Sequence, residues 1–153
     1  MTRLHEQIET SLPLEETFPF IADFANSKAW DPGVASAERI DEGPVAVGSR
    51  YQLGVHVGGR VAPMVYRISV LEPLRRVVLT GSGSGVSAVD DIRFQRVDGG
   101  TRIDYIADIR LGGRLRFIQP LLGRAFARLA RNAADGMRRT LDERAGTDRA
   151  SRP

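Results

Sequence analysis

The chain has 153 residues, enough for one domain that buries its own core without covalent staples. It has no cysteine, which excludes a disulfide framework, a thiolate metal site and a cysteine nucleophile. Its 22 basic residues exceed its 19 acidic ones for a net charge of +3, but no nucleic-acid motif accompanies that charge, so nucleic acid is not an expected partner. No apolar run approaches the roughly 20 residues of a membrane helix, so no integral membrane association is expected. "MTRLHEQIE" mixes polar and apolar residues too evenly for a signal peptide, and a cytoplasmic protein is expected.

"LHEQIETS" alternates, with Leu4, Glu6, Ile8 and Thr10 on one face and His5, Gln7 and Glu9 on the other, which predicts a half-buried strand. "SLPLEETFPFIADF" then predicts a helix, with Ser11 as N-cap, Pro13 in the first turn and Glu15 and Glu16 at its positive end. Leu14, Phe18 and Ile21 recur at helical spacing. "NSKAWDPG" predicts a second helical turn closed by Asp-Pro-Gly, and it holds Trp30, the chain's one tryptophan.

From residue 34 the period is two. "VASAERI", "SRYQLGVHV", "APMVYRISVLEP", "RRVVLTGSG", "VSAVDDIRFQRV" and "TRIDYIADIRL" read as strands, and "VDGGTR" as a tight hairpin turn. "GSGSGV" has the look of a phosphate loop, but it lacks the Gly-Lys-Ser/Thr ending and is read as a hairpin tip. The remainder, from "GRLRFIQPLLGRAF" onward, predicts a long helix with Leu115, Ile118, Leu122, Leu129 and Leu141 as its apolar stripe and arginines elsewhere. Pro120 should kink that helix or split off its first turn, and Gly123 and Gly136 should loosen it. The expected fold is α+β: a curved seven-stranded antiparallel sheet, two short helices between its first two strands, and a long C-terminal helix covering its apolar face. One domain over 1–145 is expected, with 146–153 a fraying tail.

Four stretches, "SLPLEETFPFIADFANSKAWDPGV", "EPLRRVVL", "FQRVDGGTRIDYIADIRL" and "PLLGRAF", together with this element order, resemble the START-like superfamily, also called SRPBCC or helix-grip. More narrowly, the chain is similar to its polyketide cyclase/dehydrase and lipid-transport group. The resemblance runs from about Leu4 to Ala145. It implies a sheet curled around the C-terminal helix, a deep apolar cavity between them, and a small hydrophobic ligand of polyketide, aromatic or lipid type. It also implies that Trp30 closes one end of the curled sheet. An amphipathic indole suits such a place, with its N–H near solvent or a carbonyl.

The candidate chemistry follows from strand parity. His5 and His56 fall on outward faces, so neither a Ser-His-Asp triad nor a histidine metal site is expected. Parity with Ile92 and Phe94 turns Asp90 inward and Asp91 and Arg93 outward. Parity with Ile40 turns Ser36 and Glu38 inward. Tyr105 shares the face of Ile103 and Ile109, and Tyr51 and Tyr66 lie on the apolar sides of their strands. A carboxylate facing an apolar cavity has a raised pKa and suits general acid–base work, so Asp90 and Tyr105 are the candidate catalytic residues. The expected ligand wall comprises Trp30, Glu38, Tyr51, Leu53, Met64 and Tyr66. Ile92, Phe94 and Tyr105 extend it on the sheet, and Leu122 and Phe126 on the helix. No metal or cofactor is expected. The resemblance leaves three readings open: a cofactor-independent polyketide cyclase/dehydratase, a non-catalytic carrier of a hydrophobic ligand, and a module that binds a protein partner. The chain is expected as a monomer or homodimer.

Overall fold

A computed structural model describes residues 1–151. Strand β1 (Thr2–Thr10) leads into helix α1 (Leu14–Ala22), a 3-10 turn (Phe24–Asn26) and the one-turn helix α2 (Ser27–Trp30). Six strands follow: β2 (Val34–Arg39), β3 (Arg50–Val57), β4 (Arg60–Glu72), β5 (Arg76–Gly83), β6 (Val86–Val97) and β7 (Gly100–Leu111). Two 3-10 turns (Gly113–Phe117 and Gln119–Leu122) precede helix α3 (Gly123–Ser151). The seven strands form one antiparallel sheet in the order β1-β7-β6-β5-β4-β3-β2, as a meander closed by the return of the first strand requires.

The alternation in sequence becomes alternation in burial, because successive side chains on a strand leave opposite faces. In β4, Met64, Tyr66 and Ile68 are buried while Val65 and Arg67 are exposed. In β6, Ala88, Asp90, Ile92 and Phe94 are buried between exposed neighbours or, at Asp91, a half-buried one. β2 departs from the expectation. Glu38 pairs with Gln52, and both are exposed, while Ala37 lies opposite buried Leu53. Ile40, which set the predicted parity, is itself 38% exposed just past the strand end. Glu38 and Ser36 therefore face outward, and Glu38 is withdrawn from the site.

Ser11 is not the cap of α1. The helix starts after Pro13 with no side-chain cap, and Thr17 Oγ1 donates back to the carbonyls of Leu12 and Pro13 at 3.1 and 2.9 Å. Pro19 is accommodated inside α1, whose cap N–H still reaches its carbonyl.

The predicted C-terminal helix is divided at Pro120, as a residue without an N–H demands. The two 3-10 turns that precede α3 do not cover the sheet: Phe117 is 70% and Leu121 81% exposed. Gln119 fastens this segment, donating to Ile109 O at 2.8 Å and to Thr2 Oγ1 at 3.0 Å while accepting from Leu111 N. The face of α3 that is buried consists of Ala134, Gly136, Met137, Leu141 and Ala145. The apolar stripe is thus displaced toward the C-terminus from the leucines that suggested it, with only Leu141 in common. Thr10 Oγ1 donates to Asp142 at 2.7 Å and Thr140 Oγ1 to Ala29 O at 3.0 Å, tying α3 to β1 and to α2. The helix continues through Ser151, beyond residue 145 where fraying was expected; Arg152 and Pro153 lie outside the described residues. No helix among the described residues is long and apolar enough to cross a membrane.

Candidate functional site

Three rows of residues cross the inner face of the sheet. One runs Tyr66, Gly81, Ala88, Ile109 across β4, β5, β6 and β7. The next runs Leu79, Asp90, Ala107, Leu4, and the third Val77, Ile92, Tyr105, Glu6, each ending on β1. Small residues sit at the centre of the first two rows. Ala130, Ala133 and Ala134 of α3 face them. Two layers that both present alanines cannot fill the space between them, and a cavity of about 150 Å³ remains. Leu129 and Met137 of α3 and Leu4, Ile8 and Ile109 of the sheet add apolar wall.

The polar groups of this wall are Glu6, Asp31, Tyr66, Asp90 and Tyr105. Asp90 is 7% exposed, and the Tyr105 hydroxyl donates to its Oδ2 at 2.8 Å. Burial pushes the Asp90 carboxyl up to about 7; the bond from Tyr105 opposes the shift, and the charge of Asp31 adds to it. The same burial raises the Tyr105 and Tyr66 hydroxyls well above the ordinary tyrosine range, with Asp90 reinforcing both shifts. Asp31 is raised by burial, while the bond it accepts from Gly33 N at 2.8 Å holds it down. A carboxyl group poised near neutrality in an apolar cavity can both take and give a proton at physiological pH.

Tyr105→Phe is expected to raise the Asp90 pKa further, because it removes the hydrogen bond that favours the carboxylate. Carboxyl-carbon NMR titration measures the shift, and an unchanged midpoint would show that the hydroxyl does not act on Asp90.

The structure brings Tyr66, Asp90 and Tyr105 together on the cavity, as strand parity indicated. Tyr51, Leu53, Met64, Ile92 and Phe94 are buried in the surrounding core and do not line it. Tyr51 is fully buried, and that burial chiefly raises its hydroxyl to about 12. Leu122 is half-buried just before α3 and Phe126 half-buried in its first turn; both lie outside the cavity wall, which α3 reaches only from Leu129 onward.

Trp30 is 2% exposed and stands edge-on to Tyr105, ring centroids 6.0 Å apart, and to Phe24 at 6.1 Å. Its indole N–H reaches neither solvent nor a carbonyl: it is buried without a hydrogen-bond partner among the described residues. His5 and His56 are exposed, and the His5 ring meets Asp104 at 3.0 Å on the outer face.

Two polar wall residues escaped the sequence reading. Glu6 carried a signal, since it alternates in phase with Leu4 and Ile8. Asp31 carried none, because it follows Trp30 in a turn whose direction only the packed fold defines. A second crevice, of about 600 Å³, runs between α1 and the C-terminal part of α3, lined by Leu12, Phe20, Arg144 and Asp148 among others. It contains no carboxylate–tyrosine pair like that of Asp90 and Tyr105.

Comparison with known proteins places this geometry in context. Among solved structures, the ZhuI aromatase/cyclase of Streptomyces sp. R1128 superposes with a TM-score of 0.77 at 14% identity, covering 94% of each chain. A START superfamily protein of Mycobacterium smegmatis gives 0.74 at 13% identity, over 96% of this chain and 99% of the other. A protein of Thermus thermophilus gives 0.76 at 15% identity, over 98% of this chain and 99% of the other. At such identities these likenesses establish the helix-grip fold. No curated protein matches the chain in sequence. The family model described as "Polyketide cyclase / dehydrase and lipid transport" matches residues 1–142, and with the fold in agreement the chain belongs to that family of the START-like superfamily.

Proposed function

We propose that the chain binds one small hydrophobic molecule between the sheet and α3 and moves a proton on it with Asp90, in the manner of a polyketide cyclase or dehydratase. The observation that carries this reading is the Asp90–Tyr105 pair, 2.8 Å apart on the wall of an otherwise largely apolar cavity. The polyketide cyclase/dehydrase family supports a hydrophobic ligand, and the aromatase/cyclase title of one structural neighbour supports the chemical class. As general base, Asp90 would take a proton from a carbon next to a carbonyl, forming the enolate. As Asp90 takes that proton it no longer needs the bond from Tyr105, whose hydroxyl, kept protonated by its raised pKa, would turn from Asp90 to donate to the carbonyl oxygen as charge develops there. Enclosure between two packed layers would hold the reacting carbon of the ligand against Asp90.

A cavity near 150 Å³ takes about one aromatic ring, the size at which an engineered apolar cavity in another protein binds benzene. Phenylacetone in deuterated water is therefore a fitting probe, since its slow α-proton exchange reports carbon deprotonation. The protein is expected to accelerate that exchange with a rate rising through pH about 7, and Asp90→Asn to lower the acceleration about 100-fold. If the wild type exchanges no faster than an equal concentration of acetate, Asp90 is not a base toward bound carbon acids. A carrier function would then be the reading left for the cavity.

A further inference from the structure

The protein is basic and its cavity is acidic. The wall carries three carboxyl groups, Glu6, Asp31 and Asp90, and no arginine, lysine or histidine. The helix that closes it contributes only Leu129, Ala130, Ala133, Ala134 and Met137. Asp90 has a neutral partner in Tyr105, but Asp31 is offset by no cation of the wall: its partner is the Gly33 amide. Tyr66 supplies an independent observation, a polar group of the wall that is free to meet a ligand. It is 8% exposed, lines the same cavity, and is influenced there only by burial and by the charges of Asp90 and Asp31, with no hydrogen bond from its hydroxyl among the described residues.

We infer that the cavity is built for a one-ring ligand bearing a basic nitrogen, its ammonium held by Asp31 with Glu6 beside it and its polar oxygen met by Tyr66. The inference rests on the ligand-binding reading of the same cavity and assigns the ligand's chemical class. An anionic ligand, such as a free carboxylic acid, would sit among three like-signed groups with no counter-charge. A neutral one would leave the Asp31 charge uncompensated in a desolvated wall. An ammonium compensates it through a charge-assisted hydrogen bond. Among the described residues no three of these groups converge as a metal site would require, so the charges are spread as an organic cation can use them. Asp31 and Asp90 then divide the work: one holds the charge, and the other faces the reacting carbon.

Titration calorimetry at pH 8 with three probes of equal size tests this: 2-phenylethylamine, 2-phenylethanol and phenylacetate. The amine is expected to bind about tenfold or more tightly than the alcohol, and the acid not at all. Asp31→Asn should bring the amine to within about threefold of the alcohol and, by removing a charge that raises the Asp90 carboxyl, should move the midpoint of the Asp90-dependent phenylacetone exchange to lower pH without abolishing it. Should that variant disturb the turn, as its melting curve would show, Glu6→Gln on half-buried β1 should reduce the same preference. Phenylacetate binding as tightly as the amine, or a preference that survives both substitutions, overturns the inference alone. If none of the three probes binds, the ligand-binding reading of the cavity fails with it.

Discussion

Asp90→Asn is expected to make the protein more stable relative to wild type as pH rises, and to remove the group proposed to move a proton. The carboxyl titrates near 7 in the folded chain against an ordinary 3.8. A carboxyl with a raised folded pKa favours the folded state fully below its unfolded pKa. That advantage is lost as pH rises, because the unfolded chain ionises freely while the folded chain must either hold the proton or bury a charge. The loss is spread between pH about 4 and about 7 and is constant above that window. At 1.36 kcal/mol per unit it amounts to roughly 4 kcal/mol. Asparagine keeps an oxygen for the Tyr105 hydroxyl and never ionises. Its amide hydrogens need partners of their own, so the absolute change at one pH is less informative than the trend.

Urea unfolding of both proteins at pH 4, 6 and 8 measures the trend directly. The stability difference should move by about 4 kcal/mol in favour of the variant between pH 4 and pH 8. Asp31 and the other carboxyls titrate in both proteins and largely cancel. Parallel profiles would mean that Asp90 is solvated or paired, and the acid–base reading of the site would lose its basis. A site that destabilises the fold in order to hold a poised carboxyl is the usual pattern of a functional group.

Gly136→Ala is expected to destabilise the protein by about 2–3 kcal/mol, against the ordinary preference of a helix for alanine. A Cβ at this position would lie 2.0 Å from the carbonyl oxygen of Trp30 and 3.4 Å from Cδ of Pro32. Neither neighbour yields easily. Trp30 is buried with its ring against Phe24 and Tyr105, and the Asp31 N–H is bonded to Ser27 O at 2.8 Å. The helix would have to retreat, and the turn that carries Asp31 would move with respect to the cavity.

Gly146→Ala is the control, because a Cβ there meets nothing within 4 Å. It should stabilise by about 0.5–1 kcal/mol, since the helix loses a flexible residue at no packing cost. Thermal unfolding of the two variants side by side decides the matter. Equal melting temperatures would remove the close approach of α3 to the Trp30 turn as a structural requirement. This approach also explains the position of the tryptophan: its carbonyl seats the helix, while its ring fills the core beside the cavity.

The amino-acid order by itself determined the elements and the faces of the central strands, but not the face of β2 or the buried stripe of α3. Period-two alternation is a property of the strand backbone, so Tyr66, Asp90 and Tyr105 could be turned inward by counting. Glu38 failed only because the count was anchored on Ile40, past the end of its strand. Pro120 divided the C-terminal segment where a missing N–H must.

What the tertiary structure decided was distance between layers. The cavity exists because Ala88 and Ala107 on the sheet face Ala130, Ala133 and Ala134 on α3, and no local pattern states which small residues will oppose one another. The depth of that helix is set at Gly136, which a local reading takes for a loosened turn and which is in fact the point of closest approach. Asp31, far from Asp90 along the chain, joins it on the cavity wall because α2 packs beside α3, and its carboxyl is raised only because that packing half-buries it.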